Sequence, residues 1–421
     1  MKKKEILIIG SGFSALSCYS ALENKFNVSL IDLPNNNLKE KYTFERLFKP
    51  ILKVDGSIVV GKGGLSKVWR GVYFIPSKIY GNSNLNKKQI IKSFLNLKKF
   101  FNFNLYKVFS NNKSDNKVCN IKVIKTNLLN LNEKINFTNI ISSKNNKKLK
   151  GFTLDKKINS LIKNNKLKFI NGKALEIYEK EKNIFVEYVY KLKKNNLKFD
   201  HIFLAAGIFN NIKILKNKIK TKNLVIHSPK KIISLIKFNK IMNQDFKSID
   251  FPIHQINFSL SKKKIYCQTY TFYQLLSKYI SKKILNILDL NFLNKYGVAF
   301  CSLVNNYGSK YNYNEQVEID FVNKKQIYSL FSNLNKDYEI SKNIKFYNWF
   351  FSLKIFAGNH YGSLKYKNNT KLFDQYGRPN KLKRLSVIDG SIINKTSVEP
   401  PTIKNMINSH SLTKKIIKKL L

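Results

Sequence analysis

The sequence predicts an α/β fold in two structural domains, and three observations carry the expectation. An apolar run, Ile6 to Ile9, enters the glycine-rich turn Gly10-Ser11-Gly12-Phe13-Ser14-Ala15, and a second run, Val28 to Ile31, stops at Asp32. Strand, turn, helix and strand in that succession form a βαβ unit, hence a parallel sheet with helices. At 421 residues and 43% hydrophobic, the chain buries more than one core, because single cores stop growing at roughly 250–300 residues. Residues of about 224 to 345 carry strand-like runs of Ile, Phe and Tyr without a second phosphate loop of that kind, so a separate strand-rich domain is expected there.

The first unit has the residues of a dinucleotide-binding, Rossmann-like turn. Gly10 permits the tight passage from strand to helix, Gly12 leaves room for a pyrophosphate against the backbone, and Ala15 lets the helix pack close on the strand. The helical stretch Leu16 to Leu22 follows, and the pyrophosphate would sit on that helix's exposed N–H groups. Asp32 ends the second strand about twenty residues after the motif, where a carboxylate accepts hydrogen bonds from the ribose hydroxyls and repels a phosphorylated ribose.

Next comes a second glycine cluster, Gly61-Lys62-Gly63-Gly64-Leu65-Ser66 through Trp69 and Gly71 to Pro76. Glycines this dense around a Trp imply a backbone lying against something large and flat. Residues 84 to 148 are rich in Lys and Asn, and Ile90, Ile91, Phe94, Leu95, Leu97, Phe100 and Phe101 give an apolar period that reads as an amphipathic helix, so a helical insertion is expected over about 84–148. Leu167 to Ile170, Ala174 to Ile177 and Ile184 to Val189 read as strands, leading to the apolar strand His201 to Leu204 and its small-residue end Ala205-Ala206-Gly207. The last part holds Asn359-His360-Tyr361-Gly362-Ser363, then Asp389-Gly390-Ser391, and Pro400-Pro401-Thr402 opening a final helix to Leu420.

A formal net charge of +52 suggests nucleic acid or an anionic membrane surface as a partner. Lys, Asn and Ile nevertheless prevail everywhere, as in Lys191-Leu192-Lys193-Lys194-Asn195-Asn196, while Arg is scarce. That is the usage of a very AT-rich coding sequence, and base-reading proteins favour clustered Arg with interleaved aromatics. No specific nucleic-acid partner is expected; peripheral membrane attachment or polyanion attraction through lysine faces is. Cys18, Cys119, Cys267 and Cys301 lie far apart without a CxxC, so neither a zinc site nor a disulfide framework is expected. The apolar run after Met1-Lys2-Lys3-Lys4 is too short for a signal peptide, no segment approaches the roughly 18 apolar residues of a membrane span, and a cytoplasmic protein is expected.

Four blocks in order resemble the glucose-methanol-choline (GMC) family of FAD-dependent oxidoreductases, in its short branch. They are Gly10-x-Gly12-x-x-Ala15; Gly63-Gly64-Leu65-Ser66-x-x-Trp69-x-Gly71; Leu204-Ala205-Ala206-Gly207 with Asn211 and Leu215; and the C-terminal His-x-Gly-Ser, Asp-Gly-Ser and Pro-Thr series. The blocks cover about half of the chain, in its cofactor-binding part. The resemblance implies a Rossmann-like FAD-binding domain, with a parallel sheet and helices, plus an α+β substrate domain with an antiparallel sheet. Residues 1–222 would form the N-terminal portion of the FAD domain, 223–345 the substrate domain, and 346–421 the return that completes the FAD domain. It further implies that Gly10, Ser11, Gly12 and Asp32 hold the ADP half, with Ala174, Leu175, Ala205, Ala206 and Gly207 flanking adenine and pyrophosphate. Gly63, Gly64 and Ser66 would run beside flavin and ribityl, Asp389 and Gly390 would reach ribityl and pyrophosphate, and Thr402 would open a helix toward the flavin carbonyls. Covalent attachment in the family often runs through a His near the second glycine cluster, and residues 1–200 contain no His, so noncovalent FAD is expected.

The activity implied is oxidation of a hydroxyl group on a sugar, polyol or other alcohol, by hydride transfer to flavin. Such chemistry needs a base for the hydroxyl proton, a task that suits histidine. His360 stands in the block where the family keeps its active-site His, whereas His201, His227, His254 and His410 are assigned structural roles. Here Asn359 holds the usual His-x-x-Gly register, and His360 is one residue nearer Gly362. The family's second partner, an Asn or His before Pro-x-x-Thr, is replaced by Glu399 or Pro400 according to alignment. Glu399 is either a base or partner for His360, or a solvated loop acid. The Arg-Met-Gly that often follows in the family is absent, with Lys365 and Tyr366 in its region. These departures are compatible with an unusual substrate or a flavoprotein that has lost its oxidase-type chemistry. Two other readings remain open: a dehydrogenase passing electrons to a quinone or carrier protein, and a non-catalytic basic binding protein on a flavoprotein scaffold.

Overall fold

A computed structural model of the chain describes residues 3–33, 43–46, 57–67, 75–76, 79, 84–109, 120–123, 135–136, 139–145, 148–219, 224–228, 230–239, 257–260, 265–276, 284, 287–303, 309–312, 324–342, 344–352, 363–366, 372–379, 382–393 and 400–420. These residues form a mixed α/β structure. Five strands, β1 (Glu5–Ile9), β2 (Asn27–Asp32), β3 (Lys168–Asn171), β4 (His201–Leu204) and β5 (Leu385–Val387), make one sheet of order β3-β2-β1-β4-β5. Every neighbouring pair is parallel; Ile9, for example, lies between Ile31 and Leu204. Both faces of β1 and β4 are buried, which is why they read as unbroken apolar runs rather than alternating ones.

Helix α1 (Phe13–Leu22) follows β1 and is buried over most of its circumference. Its second cover is the last helix, α6 (Thr402–Leu420), packed along it, with the Ser409 hydroxyl donating to the Ser14 carbonyl at 2.7 Å. Helix α2 (Lys87–Phe101) starts at a capping box, in which Asn86 and Gln89 each accept from the other's backbone N–H. It buries Ile90, Phe94, Leu97 and Phe101 at the expected spacing and ends on left-handed Asn102. Among the described residues helix therefore covers only the first part of the expected 84–148 insertion. Beyond it, Asn104–Phe109, Asn120–Val123, Asn139–Asn145 and Lys148–Gly151 pair as an antiparallel sheet. Short β-branched pairs such as Ile140-Ile141 supply strand propensity there, and the surrounding Lys and Asn hide the alternation.

Helix α3 (Asp155–Lys163) leads into β3, and a three-stranded antiparallel meander then carries the chain from β3 to β4. Its strands are Lys173–Lys180, Asn183–Tyr190 and Lys193–Phe199. The lysine-rich run from Lys191 is a two-residue turn with positive φ at Lys191 and Leu192, followed by an exposed edge strand. Helix α4 (Ile208–Leu215) follows β4. A second apolar core lies under a six-stranded antiparallel sheet of order 344–352, 230–238, 296–303, 265–271, 257–260 and 135–136. Helix α5 (Lys324–Lys336) covers one face, setting Ile327, Phe331 and Leu334 in the same cluster as Ile232, Cys267 and Cys301. This sheet runs past residue 345 to Ser352 and takes in Ile135–Asn136 from the insertion. Among the described residues no helix is long and apolar enough to cross a membrane.

Candidate functional site

The strands of a parallel sheet all end on one edge, and here that edge gathers most of the residues singled out by sequence. The chain leaves β1 toward β2 and β3 on one side and returns from β4 toward β5 on the other, so the direction of winding reverses between β1 and β4. In open α/β sheets that reversal opens a crevice beyond the carboxyl ends of the strands. Gly10 follows β1 at this point with φ +98°, and a Cβ on it would stand 2.5 Å from the Ala205 carbonyl oxygen. The Ala205 N–H donates to the Ile9 carbonyl at 2.8 Å, so the two turns are joined at their base.

Gly12 differs. Its backbone is extended, at φ −74° and ψ −174°, and a Cβ would meet nothing within 4 Å. Gly12 also caps α1 with no side chain accepting from the first turn, and that turn carries no acid. Helix α4 begins in the same way on Gly207, without a side-chain cap. Two helix starts without a side-chain cap of their own thus face the same edge; that of α1 is open to an anion, whereas at α4 the Gly207 N–H already donates to a carboxylate oxygen of Asp389.

The second glycine cluster comes to the first. The Gly63 N–H donates to the Ser11 hydroxyl oxygen at 2.8 Å, Ser11 donates in turn to an Asp32 carboxylate oxygen, and the Leu33 N–H donates to the other at 2.7 Å. Asp32 ends β2, as the spacing requires. Gly64 opens a 3₁₀ turn, Gly64–Lys67, beside Gly12. Ser66 is buried and its hydroxyl accepts the Leu154 N–H at 3.1 Å, tying the loop to the start of α3. A Cβ on Gly63 would stand 2.9 Å from Asp155, an acid the sequence reading passed over.

On the other side of the crevice, Asp389 follows β5. Its carboxylate accepts the Gly207 N–H at 2.8 Å, the Asn211 amide at 2.9 and 3.1 Å and the Ser391 N–H at 3.0 Å. Asn211 also donates to the Ser391 hydroxyl at 2.9 Å and accepts the Ala206 N–H at 3.2 Å. Burial pushes the Asp389 carboxyl above the usual range, and the donors pull it partly back. The network locks the turn after β4 to the turn after β5. Asn211 is its centre, and the signal for it was a pair of amides, Asn210-Asn211, interrupting the apolar residues Ile208, Phe209 and Ile212. Gly390 lies against Asn405, one turn into α6, so Thr402 begins its helix nearby.

Ala174 and Leu175 lie at the start of the meander, where the register slips between Ala174 and Glu176 and leaves Leu175 without a ladder partner. Ala15 is buried against the sheet. Asn359, His360 and Glu399 lie outside the described residues, as do Trp69, Gly71 and His254. His201 begins β4, fully within the core, with Nε2 3.2 Å from the Ser386 hydroxyl of β5. Burial first, and Arg384 and Arg378 second, lower its pKa to about 3, so it is neutral. His410 is buried on α6 and lowered to about 4 by burial and Lys414. Among the described residues no three His, Cys, Asp or Glu side chains gather to hold a metal ion. No family model and no curated protein matches the chain.

Proposed function

We propose that the protein is an FAD-dependent oxidoreductase that takes hydride from a hydroxyl-bearing carbon of a sugar, polyol or other alcohol. The observation that carries the reading is the meeting, at one point of sheet reversal, of four segments picked from sequence as a cofactor site: Gly10–Ala15, Gly63–Ser66, Ala205–Gly207 and Asp389–Ser391. The donor set suits the group. The open space over Gly12 and the uncapped start of α1 fit a pyrophosphate, and Asp32 ends β2 where ribose hydroxyls need an acceptor.

In this reading the parallel sheet with its helices forms a Rossmann-like, doubly wound cofactor domain, and the six-stranded antiparallel sheet, which takes in Ile135–Asn136 and runs to Ser352, belongs to the substrate side. FAD, when bound, accepts the hydride. The chain's own residues hold it: Ser11 orients Asp32 toward the ribose, Gly63 and Gly64 bring a second stretch of backbone beside it, and Asn211 fixes Asp389 so that both turns stay closed. His360 is the base for the substrate hydroxyl, with Asn359 next to it in the same block; Glu399, in the block before Pro400-Pro401-Thr402, is a base or partner for His360 or else a solvated loop acid. The cofactor is noncovalent.

The test is an absorption spectrum of purified protein before and after acid precipitation. Flavin bands that pass into the supernatant are the expected result, followed by bleaching with an alcohol or sugar under anaerobic conditions. A colourless protein that takes up no added FAD refutes the proposal. Retained flavin reduction in a His360→Ala variant would sink the assignment of the base alone.

A further inference from the structure

Two of the cysteines come together although nothing in their spacing pairs them. Cys267 lies on the strand 265–271 and Cys301 on the strand 296–303, neighbours in the six-stranded sheet, and the antiparallel register sets one directly opposite the other. Residues so opposed project from the same face with Cα atoms about 4.5 or 5.5 Å apart, and both values fall within the roughly 4.4–6.8 Å that a disulfide spans. The sulfurs stand 2.6 Å apart, so the side chains point at each other and the backbone already stands where a bond needs it. Cys18 has no such neighbour; it lies in the other core, beside Thr413. Among the described residues Cys267 and Cys301 are the one pair of cysteines with sulfurs in contact.

The surroundings decide which chemistry the pair supports. Both side chains are fully buried, in one cluster with Ile232, Ile265, Leu303, Phe331 and Leu334. Burial, and Cys301 beside it, hold the Cys267 thiol well above its usual range. Two thiolates around a metal ion would bring charge into this apolar cluster, and among the described residues no three His, Cys, Asp or Glu side chains gather to complete such a site. A disulfide is neutral, and it replaces two S–H groups by one bond without moving the strands. The burial that suits the bond also closes the folded pair to reagents. Exchange therefore takes place when the second core opens, or before the side chains of α5 have packed into it.

We propose that Cys267 and Cys301 form a dithiol–disulfide couple which, when oxidised, staples the two central strands of the six-stranded sheet. The oxidant is a small disulfide of the oxidised-glutathione type. One cysteine, as thiolate, attacks it to give a mixed disulfide and one glutathione thiolate, and the other cysteine, as thiolate, then displaces the second glutathione. Two S–H bonds of the chain and the S–S bond of the oxidant are exchanged for one S–S bond in the chain and two glutathione S–H bonds, so two electrons and two protons leave the protein. The test incubates the reduced full chain in mixtures of reduced and oxidised glutathione, alkylates it in denaturant without reductant, and maps the label by mass spectrometry. Cys267 and Cys301 are expected to lose their label together as oxidised glutathione rises, in a chain lighter by two hydrogens, while Cys18 keeps its label. The oxidised protein should melt about 5–15 °C above the reduced one, because the bond closes a loop spanning 34 positions in the unfolded chain. In Cys301→Ala and Cys267→Ala that difference between buffers should vanish, and the wild-type labelling is read without either variant. Both cysteines labelled at every glutathione ratio overturn the proposal, as does glutathione held on one of them without an internal bond. A bond to Cys18 or Cys119 in place of this pair overturns it too, and an oxidised protein that melts no higher than the reduced one removes the staple.

Discussion

Two glycines of one turn should respond to the same substitution in opposite ways. At Gly10 an added methyl stands 2.5 Å from the Ala205 oxygen and 2.8 Å from its carbonyl carbon, both backbone atoms, at φ +98°. The left-handed backbone costs about 1–2 kcal/mol with a side chain present, and forcing β1 and β4 apart costs about 1–3 kcal/mol more. Gly10→Ala is therefore expected to destabilise by roughly 2–5 kcal/mol, which lowers the melting temperature of a domain this size by about 2–4 °C per kcal/mol. At Gly12 the methyl enters open space at an ordinary φ. The slightly poorer N-cap and the stiffer unfolded chain nearly cancel, so Gly12→Ala should melt within about 1 kcal/mol of wild type. Its methyl nevertheless occupies the approach to the α1 N–H groups. Losing one hydrogen bond to a charged group there costs about 1.5–3 kcal/mol, or about ten- to a hundredfold in cofactor affinity. Thermal melts followed by circular dichroism, with flavin-to-protein ratios from absorbance, separate the two effects. Gly12→Ala with a full flavin complement, or with a melt as low as that of Gly10→Ala, would refute the reasoning.

Other consequences follow from buried groups. His201 has its folded pKa lowered to about 3 against 6.5 unfolded, so the unfolded chain binds the extra proton. Stability is full above pH 6.5 and falls as pH drops toward 3, by at most roughly 5 kcal/mol from this residue; urea melts of wild type and His201→Asn across that window should show the variant's pH dependence flattened. Asn211→Ala deprives Asp389 of its amide donor in a buried network and should cost about 1–3 kcal/mol by urea denaturation. Burial pushes the Cys18 and Cys267 thiols up, and Cys301 is buried beside Cys267 with 2.6 Å between sulfurs. Alkylation mapped by mass spectrometry should spare all three in native protein and modify them in denaturant; rapid native labelling of Cys267 would contradict the packing of the second core.

The parallel-sheet framework was legible wherever burial left a one-dimensional trace. β1, β2 and β4 are covered on both faces and appear as apolar runs, and Asp32 falls on the last residue of its strand because strand and helix lengths set the interval. The amphipathic pattern of α2 was equally plain. What escaped were strands with little apolar content. Lys193–Phe199 is a meander edge exposed along most of its length, so no burial pattern marks it. The sheet after Phe101 was masked in the same way by its Lys and Asn. In the candidate site Gly10, Gly12 and Asp32 could be named from spacing, whereas Ser11 and the glycines of the later blocks were named from the family resemblance. Asn211's bridge to Asp389 could not, since it joins residues brought together only by the pairing of β4 with β5.

That pairing also sets a timetable for biosynthesis. At roughly 5–20 residues per second, the about 180 residues between β4 and β5 take on the order of 10 to 40 s to emerge from a ribosome. During that interval β1 to β4 have left the tunnel while the edge of β4 and the outer face of α1 still await β5 and α6. The nascent chain therefore carries an open strand edge for about two-fifths of this sequence and an uncovered helix for most of it, both exposed to mispairing until β5 and α6 dock.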